Sequence, residues 1–458
     1  MSERVVVIGG GFAGIAAACR LAGDGHRPIL LERAPRLGGR AASFRDRISG
    51  EDVDYGHHVS MRCCTATHGF LQRIGAASAV RYQSELSVPI LCGGDRADLR
   101  STPLLPGALH LGPALLRYRC LAARDRVAVT RAAAGLLFSR RKSAPFGEWL
   151  RAHGQSARAI ERLWDPICVA TLNAHVDDVD LQAARKVFRD GFFSPDGAGL
   201  GLFTTPLTRI FDAARDYVES HNGEIHTSVA VRRICVDRGG VGAIDLDAGG
   251  TLETSAVVAA VPPWDLVSLV SESPLKATLE ATAGLAWSPI VNVHVWFDRP
   301  IMEDDLLVAV DSPLQFLFNV SRLHFPNGSR TGEGRSPDRP SPKQLRPMDE
   351  AAHVVVSQSA ADPWIDRPAA EIAAELIGAL GELIPSVRAA DVTRRLVIKH
   401  RRATFVPAPG ADDHRPSART LIDGLYLAGD WTAIGWPSTI EGAIRSGIAA
   451  AARAEPDG

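Results

Sequence analysis

Short apolar runs and glycines follow one another in a definite order at the start of the chain. Residues 5–8, Val-Val-Val-Ile, predict a buried strand, and residues 28–31 predict a second strand that leads into Glu32. An alanine-rich helical pattern lies between them. The turn after the first strand has the spacing G-x-G-x-x-G, with its glycines at Gly9, Gly11 and Gly14. This order predicts a dinucleotide-binding unit, which consists of a strand, these glycines, a helix, a second strand and a terminal acid.

The glycines of this turn have different expected roles. Gly9 allows a tight turn, Gly11 allows a pyrophosphate to approach the backbone, and Gly14 allows the helix to pack against the strand. The helix then directs free N–H groups and its positive end at the phosphates. Glu32 lies about 20 residues after the glycines, where an acid binds a ribose hydroxyl. We expect the neighbouring residues Phe12, Ala13 and Arg33 to belong to the same cofactor-binding set.

Later apolar runs predict further strands. Those at 223–234, 256–264 and 424–430 predict strands beside the nucleotide site. Those at 290–297 and 352–357 predict strands of a second sheet. Residues 60–215 are predicted to be mainly helical, whereas residues 326–350, rich in Pro, Arg, Ser and Gly, predict a mobile surface insertion.

These runs predict an α/β fold in which the chain returns twice to its nucleotide-binding domain. The expected domains are a discontinuous nucleotide-binding domain (1–60, 215–265 and 400–458) and a substrate domain (61–214 and 266–399).

Composition narrows the class of function. The length of 458 residues favours two domains over one core. Lys plus Arg (51) nearly equals Asp plus Glu (52), so the net charge of −1 gives no reason to expect a nucleic-acid partner. Seven scattered cysteines without a C-x-x-C pair predict a reduced, cytoplasmic protein with no metal site. No apolar run reaches ~18 residues, so no membrane-spanning helix is expected.

A second glycine motif, Leu37-Gly38-Gly39-Arg40, follows the acidic strand end. Paired glycines before an arginine suit a loop that brings a cation to a phosphate. With this motif the sequence resembles the amine oxidase and phytoene desaturase superfamily of FAD proteins. The resemblance implies a Rossmann-like FAD-binding domain of the glutathione reductase/amine oxidase type beside a substrate domain of mixed sheet and helices. It also implies that Glu32 binds the adenosine ribose and that Gly39 and Arg40 lie at the phosphates.

The resemblance extends to later segments. One passes the flavin ring, one meets the adenine through its backbone, and one ends a strand in Gly-Asp at the ribityl and pyrophosphate groups. A helix begins after this last segment. Its positive end is expected to stabilise a reduced flavin by roughly 1 kcal/mol. No cysteine lies there, so the FAD is expected to be non-covalent. The residues implied are Gly56, His57, Val231, Gly429, Asp430, Thr439 and Ile440.

The run from Leu163 to Asn173, with Trp164, Pro166 and Cys168, resembles the hydroxysqualene dehydroxylase branch of this superfamily. The resemblance implies that Trp164, Cys168 and Asn173 line a substrate pocket. It further implies reduction of hydroxysqualene to squalene with reduced FAD as hydride source, after loss of the allylic hydroxyl as water. A helix start with Pro166 in its first turn and a packed Trp164 explains the same residues without a substrate.

Loss of the hydroxyl requires a proton donor. His58 is the preferred candidate because histidine titrates near neutral pH. Asp54, Arg401 and Arg402 are weaker candidates. A surface loop is the alternative explanation of His57 and His58.

Three further expectations concern partners and rival functions. Residues 104–138, rich in Leu, Ala and Arg, suit peripheral contact with the cytoplasmic face of a membrane or a helix pair with a solvated basic side. A long-chain isoprenoid is the expected substrate, and the synthase that makes it is an expected upstream partner. Rival functions are a carotenoid desaturase, an amine oxidase, and a prenyl-lipid-binding chaperone of the same fold that lacks FAD.

Overall fold

A five-stranded parallel sheet carries the first glycine motif at its centre. The computed structural model describes residues 4–139, 143–270, 275–325 and 352–454. The sheet draws its strands from three separate stretches of the chain, and the N-terminal strand lies in the middle. Such strands are covered on both faces, which explains their continuous apolar runs. In spatial order the strands are Glu224–Thr227, Ile29–Glu32, Val5–Ile8, Ala256–Ala259 and Leu425–Leu427.

The two faces of this sheet bury alternate residues of each strand. Val5 and Val7 pack with one core, against the helices Phe12–Gly23, Leu207–Ser220 and Ile440–Ala454. Val6 and Ile8 pack with a second core on the opposite face. That core is covered by a small antiparallel sheet and two helices: Val231–Asp237, Gly240–Leu246, Thr251–Glu253, Pro263–Leu269 and Lys276–Ala281.

A seven-stranded sheet forms the centre of the second half of the molecule. Its strands are antiparallel except for one parallel pair, Leu306–Val310 beside Ser87–Cys92. One face packs against the helix Ala369–Leu383, and the other faces a helical layer. In spatial order the strands are Val392–Phe405, Trp287–Phe297, Ala352–Ser359, Phe316–Asn319, Leu306–Val310, Ser87–Cys92 and Asp95–Arg100.

The expectation that residues 60–215 are mainly helical is wrong in part. A β-hairpin, Ser87–Cys92 and Asp95–Arg100, joins the seven-stranded sheet, and its turn residues Gly93 and Gly94 both have positive φ. Three more strands in this stretch pair with one another: Val59–Met61, Val80–Tyr82 and Leu200–Phe203. The helices of the stretch are Thr65–Arg73, Gly112–Arg117, Ala123–Phe138, Phe146–Ala152, Ala157–Ala159, Asp165–Leu172 and Leu181–Lys186.

Two π-helical turns interrupt the helical layer. Ile160–Trp164 connects Ala157–Ala159 to Asp165–Leu172, and Val187–Phe192 continues Leu181–Lys186. Such turns shift the phase of the residues that follow and are frequent at functional sites.

The remaining elements are short. The strands Ser43–Arg45 and Asp52–Asp54 pair with each other. The helices Val320–His324 and Asp362–Ile365 flank the seven-stranded sheet. The insertion predicted at 326–350 lies outside the described residues. Within the described ranges, no helix is both long and apolar enough to cross a membrane.

Candidate functional site

The first glycine turn forms a cradle at the carboxyl end of the central strand. Gly9 has φ +104°, and a Cβ on Gly14 would overlap the Gly9 carbonyl oxygen, so turn and helix pack directly against each other. A Cβ on Gly11, in contrast, would meet no protein atom nearer than 4.0 Å. The helix Phe12–Gly23 begins at this point without an acidic residue in its first turn. Its positive end therefore faces open space suited to an anion.

Glu32 closes the adjacent strand and fixes the glycine turn. Its carboxylate accepts a hydrogen bond from the Gly10 N–H at 2.6 Å and another from the Ala34 N–H at 2.7 Å. The side chain is buried at the wall of a large cavity. The segment that leads into Val231 runs beside it, because the Val229 N–H donates to the Glu32 carbonyl oxygen at 2.9 Å.

The second glycine motif and the C-terminal Gly-Asp motif meet across the cavity. The Arg40 guanidinium forms an ion pair with Asp430 and donates to the Ala403 carbonyl oxygen at 3.0 Å. Asp430 is buried and also accepts a hydrogen bond from the Ser438 hydroxyl. Gly429, with φ +145°, turns the chain so that this carboxylate follows directly on the strand.

The helix Ile440–Ala454 begins at the same cavity. The Thr439 hydroxyl accepts a hydrogen bond from the Gly442 N–H at 3.1 Å and so caps the helix. Glu441 lies in the first turn, but its carboxylate binds another helix. Its carboxylate accepts from the Ala66 and Thr67 N–H groups at 3.0 and 2.7 Å, and thereby caps the helix Thr65–Arg73. The positive end of the C-terminal helix is thus also directed at the cavity.

The cavity, with a volume of about 870 Å³, continues from the cradle into the second half of the molecule. One wall is the seven-stranded sheet, and the facing wall is the helical layer around Leu163 and Ile167. The sheet contributes apolar side chains: Val88, Ile90, Leu99, Leu306, Val308, Val310, Phe316 and Phe318.

A polar patch interrupts this apolar lining where the chain passes Gly56. A Cβ on Gly56 would overlap the amide of Asn292, so this glycine allows the loop to approach the sheet. His58 and His400 also line the cavity here. Burial lowers the pKa of His58 to about 4, and it also lowers the pKa of His400. Both imidazoles are therefore neutral at neutral pH.

Nearly all predicted cofactor-binding residues line this one cavity. Gly14 is the exception and serves packing. Arg33 lies at the rim, largely exposed, with its guanidinium 3.0 Å from Asp265. The residues that line the cavity are Gly9, Gly11, Phe12, Ala13, Glu32, Arg33, Gly39, Arg40, Gly56, His57, Val231, Gly429, Asp430, Thr439 and Ile440.

The predicted substrate-pocket residues are only partly in place. Trp164 and Cys168 are buried in the core behind the cavity wall, where the Trp164 Nε1–H donates to Gln155 at 2.8 Å. Asn173 does line the cavity, but its amide joins the Thr404 hydroxyl and the Ala360 N–H. The residues of the stretch from Leu163 to Asn173 that line the cavity are Leu163, Pro166, Ile167, Ala170, Thr171, Leu172 and Asn173.

The structure places most of the candidate proton donors outside the cavity. Arg402 lies outside the cavity, exposed, with its guanidinium 4.8 Å from the centre of the Trp264 ring, and Arg401 pairs with Asp366 at the surface. Asp54 does not line the cavity either. His58 does, but with a pKa of about 4 the premise that it titrates near neutrality is wrong.

Sequence patterns alone missed several charged groups in the cavity, among them Lys186 and Asp190. The Lys186 ammonium lies 3.0 Å from the Asp190 carboxylate and 4.2 Å from the centre of the Trp436 ring. All three side chains line the cavity. The i, i+4 spacing of the lysine and the aspartate was the available signal, but such pairs are common on solvated helices.

These features fit the FAD implied by the sequence. Gly11 leaves the backbone open to a pyrophosphate, two helix N-termini offer positive ends, and Glu32 offers a carboxylate to a ribose. Arg40 supplies a cation, and Asp430 supplies a hydrogen-bond acceptor. The apolar extension of the cavity then begins where the flavin end of the cofactor would lie.

Comparison with known proteins gives one consistent result. A family model described as flavin-containing amine oxidoreductase matches residues 12–454. The chain is 25% identical to the 15-cis-phytoene desaturase of Glycine max over 97% of this chain and 78% of that protein. It is 24% identical to the zeta-carotene desaturase of Zea mays over 97% of this chain and 82% of that protein.

Solved structures share the fold. An oxidoreductase from Methanosarcina mazei has a TM-score of 0.72 at 18% identity and covers 97% of this chain and 99% of its own. The cyclohexylamine oxidase from Brevibacterium oxydans has a TM-score of 0.66 at 18% identity and covers 99% of each chain.

Proposed function

Because the chain belongs to the flavin-containing amine oxidoreductase family and uses FAD, we propose that it reduces hydroxysqualene, a long allylic alcohol, to squalene. The observation that carries this proposal is the apolar cavity of about 870 Å³ that continues from the cofactor cradle. When bound in its reduced form, FAD would supply the two electrons as hydride. The run from Leu163 to Asn173, which resembles hydroxysqualene dehydroxylases, supplies one wall of that cavity.

The residues of this chain have three tasks in such a reaction. The apolar sheet face, including Val308 and Phe318, binds the hydrocarbon and excludes water from the allylic cation that remains when the hydroxyl leaves. Asn292 and the neutral His58 bind and orient the hydroxyl by hydrogen bonds. The proton for the leaving water has to come from another group, because His58 is deprotonated at neutral pH.

Desaturation of a carotenoid is the second candidate function. The two desaturases match 97% of this chain, and a long polyene would suit the same apolar cavity. This reaction runs hydride transfer in the opposite direction, from substrate to cofactor. An amine oxidase has less support. Many amine oxidases carry a lysine that is hydrogen-bonded through water to the flavin, whereas Lys186 of this cavity is paired with Asp190.

Product analysis separates these functions. The purified protein, reduced under anaerobic conditions, is incubated with hydroxysqualene, and the oxidised protein is incubated with phytoene or with an amine plus oxygen. We expect squalene in the first reaction and no product in the others. Conversion of phytoene without squalene formation would establish the desaturase. A protein without flavin absorbance that still binds prenyl lipid would establish the chaperone.

We also propose that residues 104–138 rest on an anionic lipid bilayer, from which the substrate enters. The segment exposes large apolar side chains, among them Leu104 (93% exposed) and Phe138 (81% exposed). It carries five arginines and one acid, Asp125, which is buried. Exposed apolar groups flanked by cations suit an anionic interface. Tyr118 of the same segment lines the substrate cavity, which links the surface to it.

Vesicle flotation tests this contact. We expect the protein to bind vesicles that contain phosphatidylglycerol, with weaker binding at high salt and to vesicles of phosphatidylcholine alone. The double variant Leu104→Ser/Phe138→Ser should lose most of this binding. Leu421→Ser, which removes a side chain 75% exposed elsewhere, is the matched control and should bind like the wild type. Equal loss in both variants would contradict the proposal.

A further inference from the structure

A second, much smaller cavity lies behind the loop that passes Gly56. Its volume is about 10 Å³, and a water molecule needs about 10–15 Å³ of space measured in this way. Among the residues described, His57 is the one that lines both this cavity and the large one. The titratable side chains around the small cavity are Asp52, Asp54, His57, His294, His324 and His353.

Hydrogen bonds hold most of this cluster in place. The Asp54 carboxylate accepts from the Ser43 hydroxyl at 2.6 Å and from the Leu207 N–H at 3.0 Å. His294 Nδ1 lies 3.0 Å from His353 Nε2. A carboxylate offers about four acceptor positions, so Asp54 keeps capacity for a further donor.

One ring nitrogen at this place, Nε2 of His57, is fully buried and has no hydrogen-bonding partner among the described residues. A buried polar atom without a partner destabilises the fold, whereas one buried water satisfies about two to four such atoms. A metal ion does not explain the cluster, because no group of three ligating side chains in the described ranges has a geometry that could hold one.

We propose that Asp54, one water in the small cavity and His57 form a proton path that ends in the substrate cavity. The path rests on the proposed function, because it supplies the proton that the departing hydroxyl takes with it. The Asp54 carboxyl gives a proton to the water, the water gives one to His57, and the other ring nitrogen of His57 gives one to the hydroxyl. The C–O bond breaks and water leaves. His57 is then the other neutral tautomer, and a proton that solvent delivers to its bare ring nitrogen after product release sends one proton back through the water to Asp54.

The protonation states suit this order of events. Burial raises the pKa of Asp54 to about 7, so the carboxyl can both hold and release a proton near neutral pH. Burial and the neighbouring imidazoles hold the pKa of His57 well below its usual range. His57 therefore passes the proton on as a neutral ring and does not store it.

The charged groups around Asp54 come from several elements. Asp52 lies on the same strand as Asp54. Its carboxylate is 3.5 Å from the Arg45 guanidinium, and its negative charge raises the pKa of Asp54 further. His294 and His353 belong to the seven-stranded sheet, and His324 to the helix beside it. The helix Leu207–Ser220, which packs against the same strand, carries Arg209 and Asp212. No lysine or arginine lowers the pKa of Asp54, which agrees with a carboxyl that is half protonated near pH 7.

The key variant is Asp54→Asn, because asparagine keeps the acceptor oxygen for Ser43 and Leu207 but cannot release a proton. Asp212→Asn is the matched control: burial also raises the pKa of Asp212, which lies outside both cavities. In the FAD-loaded wild type without substrate, we expect the ¹⁵N signals of the His57 ring to shift with a midpoint near pH 7. The shift should vanish in Asp54→Asn and persist in Asp212→Asn.

Turnover is the second measurement. Asp54→Asn should lower kcat about tenfold, leave KM nearly unchanged and remove the pH dependence near 7, whereas Asp212→Asn should behave like the wild type. A second variant, His57→Gln, should lower kcat similarly while the Asp54 carboxyl still titrates near pH 7 by ¹³C NMR.

The outcomes are distinct. A His57 signal that does not change between pH 5 and 9, or a shift that persists in Asp54→Asn, overturns the path. A coupled shift in a protein that forms no squalene overturns the proposed function and leaves the path standing.

Discussion

One carboxylate, that of Glu32, holds two turns of the cofactor cradle together. Its oxygens accept from Gly10 and Ala34, which lie on different loops. Hydrogen bonds to a charged acceptor contribute about 1.5–3 kcal/mol each. The residue that is expected to bind the ribose is therefore also the residue that shapes the pyrophosphate turn.

Glu32→Gln should weaken FAD binding at least tenfold, because an amide has one acceptor oxygen and leaves a backbone N–H without its partner. Fluorescence titration of the flavin-free protein with FAD measures this. Glu224→Gln, on the exposed edge strand of the same sheet, is the control and should bind normally. Equal affinity of the two variants would show that Glu32 has no such role.

The titration of Asp54 has a consequence for stability. Its pKa is about 7 in the folded protein and near 3.8 in the unfolded chain, so the folded state binds the proton more tightly. The stability that this group contributes is complete below pH 3.8 and is lost as the pH rises to about 7. Asp54→Asn should therefore raise the free energy of unfolding at pH 8 and have little effect at pH 4. Urea denaturation at both pH values measures this, and a larger effect at pH 4 would contradict it.

The phase of one helix explains why two of the three predicted substrate-pocket residues, Trp164 and Cys168, are buried behind the cavity wall. The stretch Asp165–Leu172 has apolar residues on both faces, so its sequence does not show which face lines the cavity. The π-helical turn Ile160–Trp164 rotates this helix relative to the preceding turns. Ile167 therefore faces the cavity, whereas the adjacent Cys168 faces the core.

At the scale of elements, the first and last helices of the fold pack closely through small residues. A Cβ on Gly447 of the C-terminal helix would overlap the Ala13 carbonyl oxygen of the first helix. Both helices begin at the cofactor cavity, so their separation sets the position of both positive ends.

Gly447→Ala should lower the free energy of unfolding by about 1–3 kcal/mol, because the added methyl group overpacks a backbone contact. Gly378→Ala is the matched control, since its Cβ would meet nothing within 4 Å in the helix Ala369–Leu383. That variant should be neutral or up to about 1 kcal/mol more stable. Urea denaturation compares the two, and equal stabilities would contradict the close packing.

Local patterns predicted the elements around the cofactor but missed part of the cavity wall. The strand runs and glycine turns of the parallel sheet are local signals, and they were sufficient to predict its strands. The hairpin Ser87–Cys92 and Asp95–Arg100 also had a local signal, the Gly93-Gly94 turn between alternating residues. Its parallel pairing with Leu306–Val310 had none, because the two strands are more than 200 residues apart.

At the scale of the whole molecule, buried neutral histidines make the fold sensitive to acid. Burial lowers the pKa of His58 and of His294 from 6.5 to about 4. The folded state therefore binds these protons less tightly than the unfolded chain, so stability is complete above pH 6.5 and is lost as the pH falls toward 4. Asp54 acts in the opposite direction over the same range.

Asp54→Asn should consequently lose stability more steeply than the wild type between pH 6.5 and 4.5. Thermal denaturation followed by flavin release at several pH values measures this. Asp212→Asn, which changes a carboxyl outside the small cavity, is the control and should stay closer to the wild type. A wild-type melting temperature that rises steadily toward pH 4.5 would contradict the assignment of the neutral histidines.

The ion pair between Arg40 and Asp430 joins positions 390 residues apart. During synthesis, a growing chain leaves the ribosome with its nucleotide turn complete but without the aspartate, the last strand and the final helix. A nascent polypeptide accordingly has no finished pocket for a flavin until the helix Ile440–Ala454 has emerged. Flavin supply during late folding, and not during elongation, should therefore govern how much soluble product a cell obtains.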